Sequence, residues 1–202
     1  MEYTFLALGD SYTIGEQVQL SSNFPYLTCQ LLRKKFKGLH FFTAPEIHAK
    51  TGWTTDELDA HIKQNLFLPK YDIVTLLIGV NNQYRGRSVE NYSQEFRGMI
   101  QQAIQFAGGN KQRVFVLSIP DWGVTPFADG RDKQQIAKEI DLYNETCRNI
   151  TLSHECTFID ITSSQRLDGN NPEFLTEDRL HHSAKEYQKW AEQLSECIAQ
   201  TI

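Results

Sequence analysis

No stretch of the chain is apolar over the ~20 residues that a membrane-spanning helix requires. The longest apolar runs, such as Ile73 to Val80, are strand-sized, so no bilayer span is expected. Basic blocks are equally absent: 20 Lys and Arg stand against 25 Asp and Glu, a formal charge of −5. That distribution lacks the electrostatic footprint of a nucleic-acid binder. Cysteine is sparse, with Cys29, Cys147, Cys156 and Cys197 far apart, no Cys-x-x-Cys pair and no His at ligand spacing, so no metal centre is expected. Each cysteine falls in or beside a helix or strand interior, which reads as buried free thiols in a reducing compartment rather than a reactive nucleophile. No basic segment with a cleavage site follows Met1, and the expected location is cytoplasmic. Without repeats, low-complexity tracts or linkers, residues 1–202 read as a single domain.

What is present is an alternation. Short apolar runs at Tyr3 to Leu8, Leu39 to Thr43, Ile73 to Ile78, Val114 to Ile119 and Thr157 to Ile161 read as strands. Between and after them, helical periodicity runs over Asn23 to Lys37, Thr55 to Asn65, Val89 to Ala107, Asp132 to Leu152 and Ala184 to Gln200. Thr54 with Glu57, and Ser183 with Glu186, have capping-box spacing, and Gly108-Gly109 marks the end of the third helix. The order predicts an α/β fold, a three-layer α/β/α sandwich on a flavodoxin-like five-stranded parallel sheet. Such sheets place ligands at the carboxyl ends of their strands, so the residues just after each strand carry the functional information.

Four of those positions hold chemical groups. After the first strand, Gly9-Asp10-Ser11 sets a serine hydroxyl in a sharp turn, clear of the sheet and open to a base and a carbonyl; an ordinary Gly-Asp-Ser turn has the same sequence. Past the second strand, Gly52 precedes a capped helix, where its amide either donates to an oxyanion or merely opens the helix. The third strand breaks at Gly79-Val80-Asn81-Asn82, and the Asn81 amide is a neutral donor for developing negative charge or a turn former. Near the end, Asp178 stands three residues ahead of His181, a spacing that lets the carboxylate hold Nδ1 and leave Nε2 free; solvent-exposed His and Asp are the bland alternative.

Together, in this order, Gly9-Asp10-Ser11, Gly52, Gly79-Val80-Asn81 and Asp178-Arg179-Leu180-His181 resemble the blocks of the SGNH (GDSL-type) hydrolase family over nearly the whole chain. The resemblance implies an esterase with Ser11 as nucleophile, His181 as general base and then acid, and Asp178 orienting it. It further implies an oxyanion hole formed by the Ser11 and Gly52 amides and the Asn81 side chain, and no cofactor. Two positions depart from the family pattern: Asn82 stands where Asp is usual, and His182, which follows His181, is a second candidate base.

Substrate contacts are sought in the loops after the third and fourth strands, chiefly Tyr84, Arg85 and Trp122, with Arg87, Asp121 and Phe127 nearby; aromatics that merely pack the loops and arginines that face only water are the bland alternative. Few residues remain for a lid, so the expected partner is a small ester with a short acyl group, such as an acetylated sugar; a lysophospholipid headgroup is the expectation if an arginine meets an anion. Acyl transfer on the same site, and a non-catalytic flavodoxin-like binding module, are the alternatives.

Overall fold

Strands buried on both faces must be apolar almost throughout, and three segments meet that demand. The structure, a computed structural model describing residues 1–202, begins with a two-residue strand β1 (Glu2–Tyr3), then β2 (Phe5–Asp10), with all six residues buried. The wholly buried β5 (Ile73–Leu77) lies beside it, and the equally buried β6 (Val114–Leu117) lies beside β5. With β3 (Phe41–Phe42), β4 (Glu46–Lys50) and β7 (Thr157–Ile159) they complete the strand set. The main sheet has five parallel strands in the order β4-β2-β5-β6-β7. The chain leaves β2 toward β4 on one side and later returns to β5 on the other, which makes the β2/β5 boundary a topological switch point.

Between the strands run α1 (Ser11–Ile14), α2 (Phe24–Lys35), α3 (Thr55–Gln64), α4 (Val80–Tyr84), α5 (Val89–Phe106), α6 (Lys133–Ser153), α7 (Thr162–Asp168) and α8 (Ala184–Ala199). The five longer helices match their predicted ranges to within about two residues, whereas α1, α4 and α7 were not anticipated. Helix α2 packs against α8, while α5 packs against both α3 and α6, giving the two outer layers. On α5 the buried residues Tyr92, Phe96, Met99, Ile100 and Ala103 form one stripe facing the core.

The second strand differs from the sequence expectation. Within Leu39 to Thr43 only Phe41–Phe42 is extended, and it pairs with β1 rather than with the main sheet. The edge position belongs to Glu46–Lys50, a half-buried, polar segment with no apolar run to announce it. The Thr54/Glu57 capping box forms, with Glu57 accepting from the Thr54 amide at 2.9 Å. The Ser183/Glu186 box does not: Ser183 accepts from Lys185 N at 3.3 Å, and Glu186, fully buried, accepts from Trp190 Nε1 at 2.9 Å. All four cysteines are free; Cys29, Cys147 and Cys156 are buried, and burial pushes their thiols up to about 12, 12 and 11. No helix is long and apolar enough to cross a membrane.

Candidate active site

Where β2 ends, the chain turns at once into α1, and Ser11 is its first residue. Asp10 caps this turn, its Oδ1 accepting from Tyr12 N at 3.0 Å. The approach permits only glycine before the cap: a Cβ on Gly9 would stand 2.1 Å from Thr13 Oγ1 and 2.4 Å from the Leu77 carbonyl. The Ser11 amide, at the first position of a helix, has no partner within it.

Ser11 Oγ lies 2.9 Å from His181 Nε2, and His181 Nδ1 lies 2.6 Å from Asp178 Oδ2. A carboxylate partner fixes the imidazole proton on Nδ1, so Nε2 accepts from the serine hydroxyl. The other Asp178 oxygen accepts from Thr176 Oγ1, Leu180 N and His181 N, each at 2.9 Å. Burial alone would raise the Asp178 carboxyl; the hydrogen bonds from His181, Leu180 and Thr176 outweigh it and hold the group at about 2. The tight turn puts Arg179 in the left-handed region, at φ +61.

His182 points elsewhere. It is 1% exposed, neither ring nitrogen has a partner, and it packs edge-on to Tyr187 and Trp190. Burial, with the neighbouring His181 imidazole, depresses it to about 3. Only His181 faces the serine.

Asn81 is the second residue of α4 and donates one Nδ2 hydrogen to the Trp53 carbonyl at 3.0 Å. It lines a cavity of about 220 Å³ together with Ser11 and His181, whose other walls are Tyr12, Val80, Tyr84, Trp122, Phe127 and Leu180. Gly52, at φ +84, and Arg85 are not on that wall. Arg85 Nη2 donates to the Gly52 carbonyl at 2.6 Å and Nη1 pairs with Glu57 at 3.3 Å, so this arginine fixes the Gly52 loop. Arg87 pairs with Asp56 at 2.6 Å, and buried Asp121 with Arg166 at 2.9 Å. Trp122 is held by Nε1 donating to Gln83 Oε1 at 2.7 Å.

Asn82 is fully buried. Its Oδ1 accepts from Thr55 N at 3.1 Å, and its Nδ2 donates to Thr55 Oγ1 at 2.7 Å and Glu95 Oε2 at 3.3 Å. An amide suits this place because the adjacent group is a carboxylate. Thr176 and Gln17 also brace Asp178. The Thr-x-Asp spacing is a local signal for the first, since a hydroxyl two residues away reaches a carboxylate. Gln17, at φ +64, accepts from Asp178 N at 3.3 Å across 161 residues, and the neighbouring Glu16 accepts from the Thr51 hydroxyl beside Gly52. No local pattern signals those braces. No group of three His, Cys, Asp or Glu side chains is arranged to hold a metal.

Fold and site together define an α/β hydrolytic architecture, with a hydrogen-bonded Ser-His-Asp row at the switch point of a parallel sheet. The sequence profile of the GDSL-like lipase/acylhydrolase family matches residues 7–189. The chain belongs to that family and is a carboxylic ester hydrolase. No curated protein matches the chain. Among solved structures it is similar to the lipase/acylhydrolase from Enterococcus faecalis, with 18% identity, TM-score 0.75, and coverage of 98% of this chain and 96% of that one. The acetylxylan esterase Axe2 from Geobacillus stearothermophilus is similar at 18% identity and TM-score 0.73, covering 97% and 94%. The psychrotrophic esterase EstA from a Pseudoalteromonas species follows at 14% identity and TM-score 0.68, covering 98% of each chain. At these identities the likeness concerns the fold.

Proposed function

We propose that the protein hydrolyses short-acyl carboxylic esters through an acyl-enzyme on Ser11. The observation that carries this reading is the 2.9 Å contact of Ser11 Oγ with His181 Nε2, backed by Asp178 at 2.6 Å. Ser11 Oγ attacks the ester carbonyl as its proton passes to Nε2, and Asp178 stabilises the resulting imidazolium. The tetrahedral oxyanion is met by the Ser11 amide and by the Asn81 Nδ2 hydrogen that Trp53 does not use; the Gly52 amide, which the family resemblance adds to them, belongs to a loop outside the cavity wall. His181 then protonates the departing alcohol. Water, deprotonated by the same imidazole, releases the acid and restores the serine.

The cavity volume supports a short acyl group: about 220 Å³ lies below the roughly 300 Å³ at which small-molecule sites begin. Tyr84 and Trp122 line the wall against which an alcohol portion such as a sugar ring would lie, and an acetylated xylan is the substrate named for the Geobacillus neighbour. The reading is tested with nitrophenyl acetate, butyrate, octanoate and laurate beside acetylated xylose. The highest kcat/KM is expected for acetate or butyrate; a rise toward laurate contradicts the short-acyl assignment.

A further inference from the structure

Two of the arginines that the sequence offered to an anion are engaged by Glu57 and Asp56, yet a third, unremarked in the sequence, stands beside the cavity. The guanidinium of Arg131 lies over the faces of three cavity-wall rings, 5.4 Å from Tyr84, 5.3 Å from Trp122 and 5.8 Å from Phe127. It also donates to the Tyr84 hydroxyl at 3.3 Å. Those rings are mutually close, with centroids 5.2 to 6.4 Å apart and Trp122 edge-on to the other two, so they form one aromatic cluster.

Arg131 pairs with no carboxylate. The acids nearest in sequence are otherwise engaged: Asp129 with Lys133 at 2.9 Å and Arg179 at 3.7 Å, and Asp132 as the cap of α6, accepting from Gln135 N at 3.0 Å. Stacking uses the faces of a guanidinium, whereas its N–H donors lie in the plane at its edge. Arg131 is exposed, so the donors not used by Tyr84 are open to solvent at the mouth of the site. A cation held on aromatic rings has little rotamer freedom left to lose when a ligand arrives.

On the ester-hydrolase reading above, we infer that Arg131 is a specificity-determining residue, and that the preferred esters carry an oxyanion, carboxylate or phosphate, on the group lying against the Tyr84-Trp122-Phe127 wall. The opposite preference, a cationic alcohol on the same rings, is disfavoured because Arg131 already covers them with positive charge.

Two matched pairs test this and separate the sources of the anion: monoethyl glutarate against ethyl pentanoate places a carboxylate on the acyl side, and 2-acetoxyethyl phosphate against butyl acetate places a phosphate on the alcohol side. Acid release gives kcat/KM for each, and at least one anionic member is expected to exceed its partner by about tenfold at low salt, the margin shrinking as salt rises. In Arg131→Gln that ratio falls to near one, whereas Arg131→Lys keeps part of it; a ratio is insensitive to general damage to the wall. Equal or inverted ratios in both pairs, a ratio untouched by Arg131→Gln, or faster turnover of acetylcholine than of butyl acetate would overturn the inference. Calorimetric titration of the Ser11→Ala protein with the same four esters reads the subsite without turnover. Absence of all hydrolysis would therefore remove the proposed function, while anion-selective binding that Arg131→Gln abolishes would still support the subsite, and unselective binding would remove it.

Discussion

The imidazoles of His181 and His182 both pack against the Tyr12 ring, with centroids 5.1 and 5.4 Å away, yet only His181 reaches Ser11 Oγ. Adjacent residues thus receive opposite surroundings: a carboxylate and a hydroxyl for one, aromatic edges for the other. A base needs a partner to give it a proton and another to stabilise the charge, and His182 has neither.

Replacing His181 with Gln is therefore expected to lower kcat by roughly 10⁴-fold or more, while His182→Phe, which keeps a ring in an aromatic box, leaves it within a few-fold. Initial rates with nitrophenyl acetate on both purified variants decide the point. A larger loss in His182→Phe would reverse the assignment.

Asn82 is expected to resist the change to Asp that the family pattern suggests. An aspartate there brings a second carboxylate against Glu95, which the Asn82 amide now contacts at 3.3 Å; Arg87 Nη1, 3.7 Å from Glu95, is shared with Asp56 at 2.6 Å and offsets only part of the repulsion. Asn82→Asp should destabilise by about 2 kcal/mol, and Glu95→Gln in the same chain should restore most of it. Urea unfolding of the two single variants and the double variant measures the coupling; simple additivity would refute it.

Two buried groups give stability opposite slopes with pH. His182, lowered from its ordinary 6.5 to about 3, is neutral in the folded chain where the unfolded chain binds a proton. Its contribution is complete above 6.5 and is lost as pH falls toward 3. Asp10, raised by burial from 3.8 to about 7, keeps a proton that the unfolded chain releases. Its contribution is complete below 3.8 and is lost as pH rises toward 7. Asp56 and Asp178, held at about 2, act only below the ordinary carboxyl range. Between about pH 4 and 6.5 the first two offset each other, at up to about 1.4 kcal/mol per pH unit each. Relative to the wild type, His182→Phe should tilt stability downward with rising pH across that window, and Asp10→Asn should tilt it upward. Urea midpoints at pH 4.5 and 6.5 check both signs.

Gln17 holds the Asp178 loop from across the site at a backbone angle that favours glycine. Gln17→Gly should relieve the strain and yet loosen the carboxylate, raising stability by about 1 kcal/mol while lowering kcat several-fold. Stability and activity moving together would make the residue merely structural.

These cases show what the sequence could and could not carry. Ser11, Asp178 and His181 were legible because each sits in a short local pattern at a strand or helix boundary, and the order of strands decides which boundaries meet. The edge strand Glu46–Lys50 was not legible, because an edge needs little apolar surface, while the more apolar Phe41 drew the assignment although it is 60% exposed. Short helices such as Val80–Tyr84 lack a full period to recognise. Gln17 with Asp178, Asn82 with Glu95 and Arg131 with three rings are contacts across chain distance, for which one sequence holds no sign.

The central claim is that Ser11 becomes acylated. Incubation with a fluorophosphonate, followed by peptide mass spectrometry, should place one adduct on Ser11 in the wild type, with labelling slowed by more than about 10³-fold in His181→Gln and unchanged in His182→Phe. An adduct on another residue, or no adduct in a protein that still cleaves nitrophenyl acetate, would contradict it.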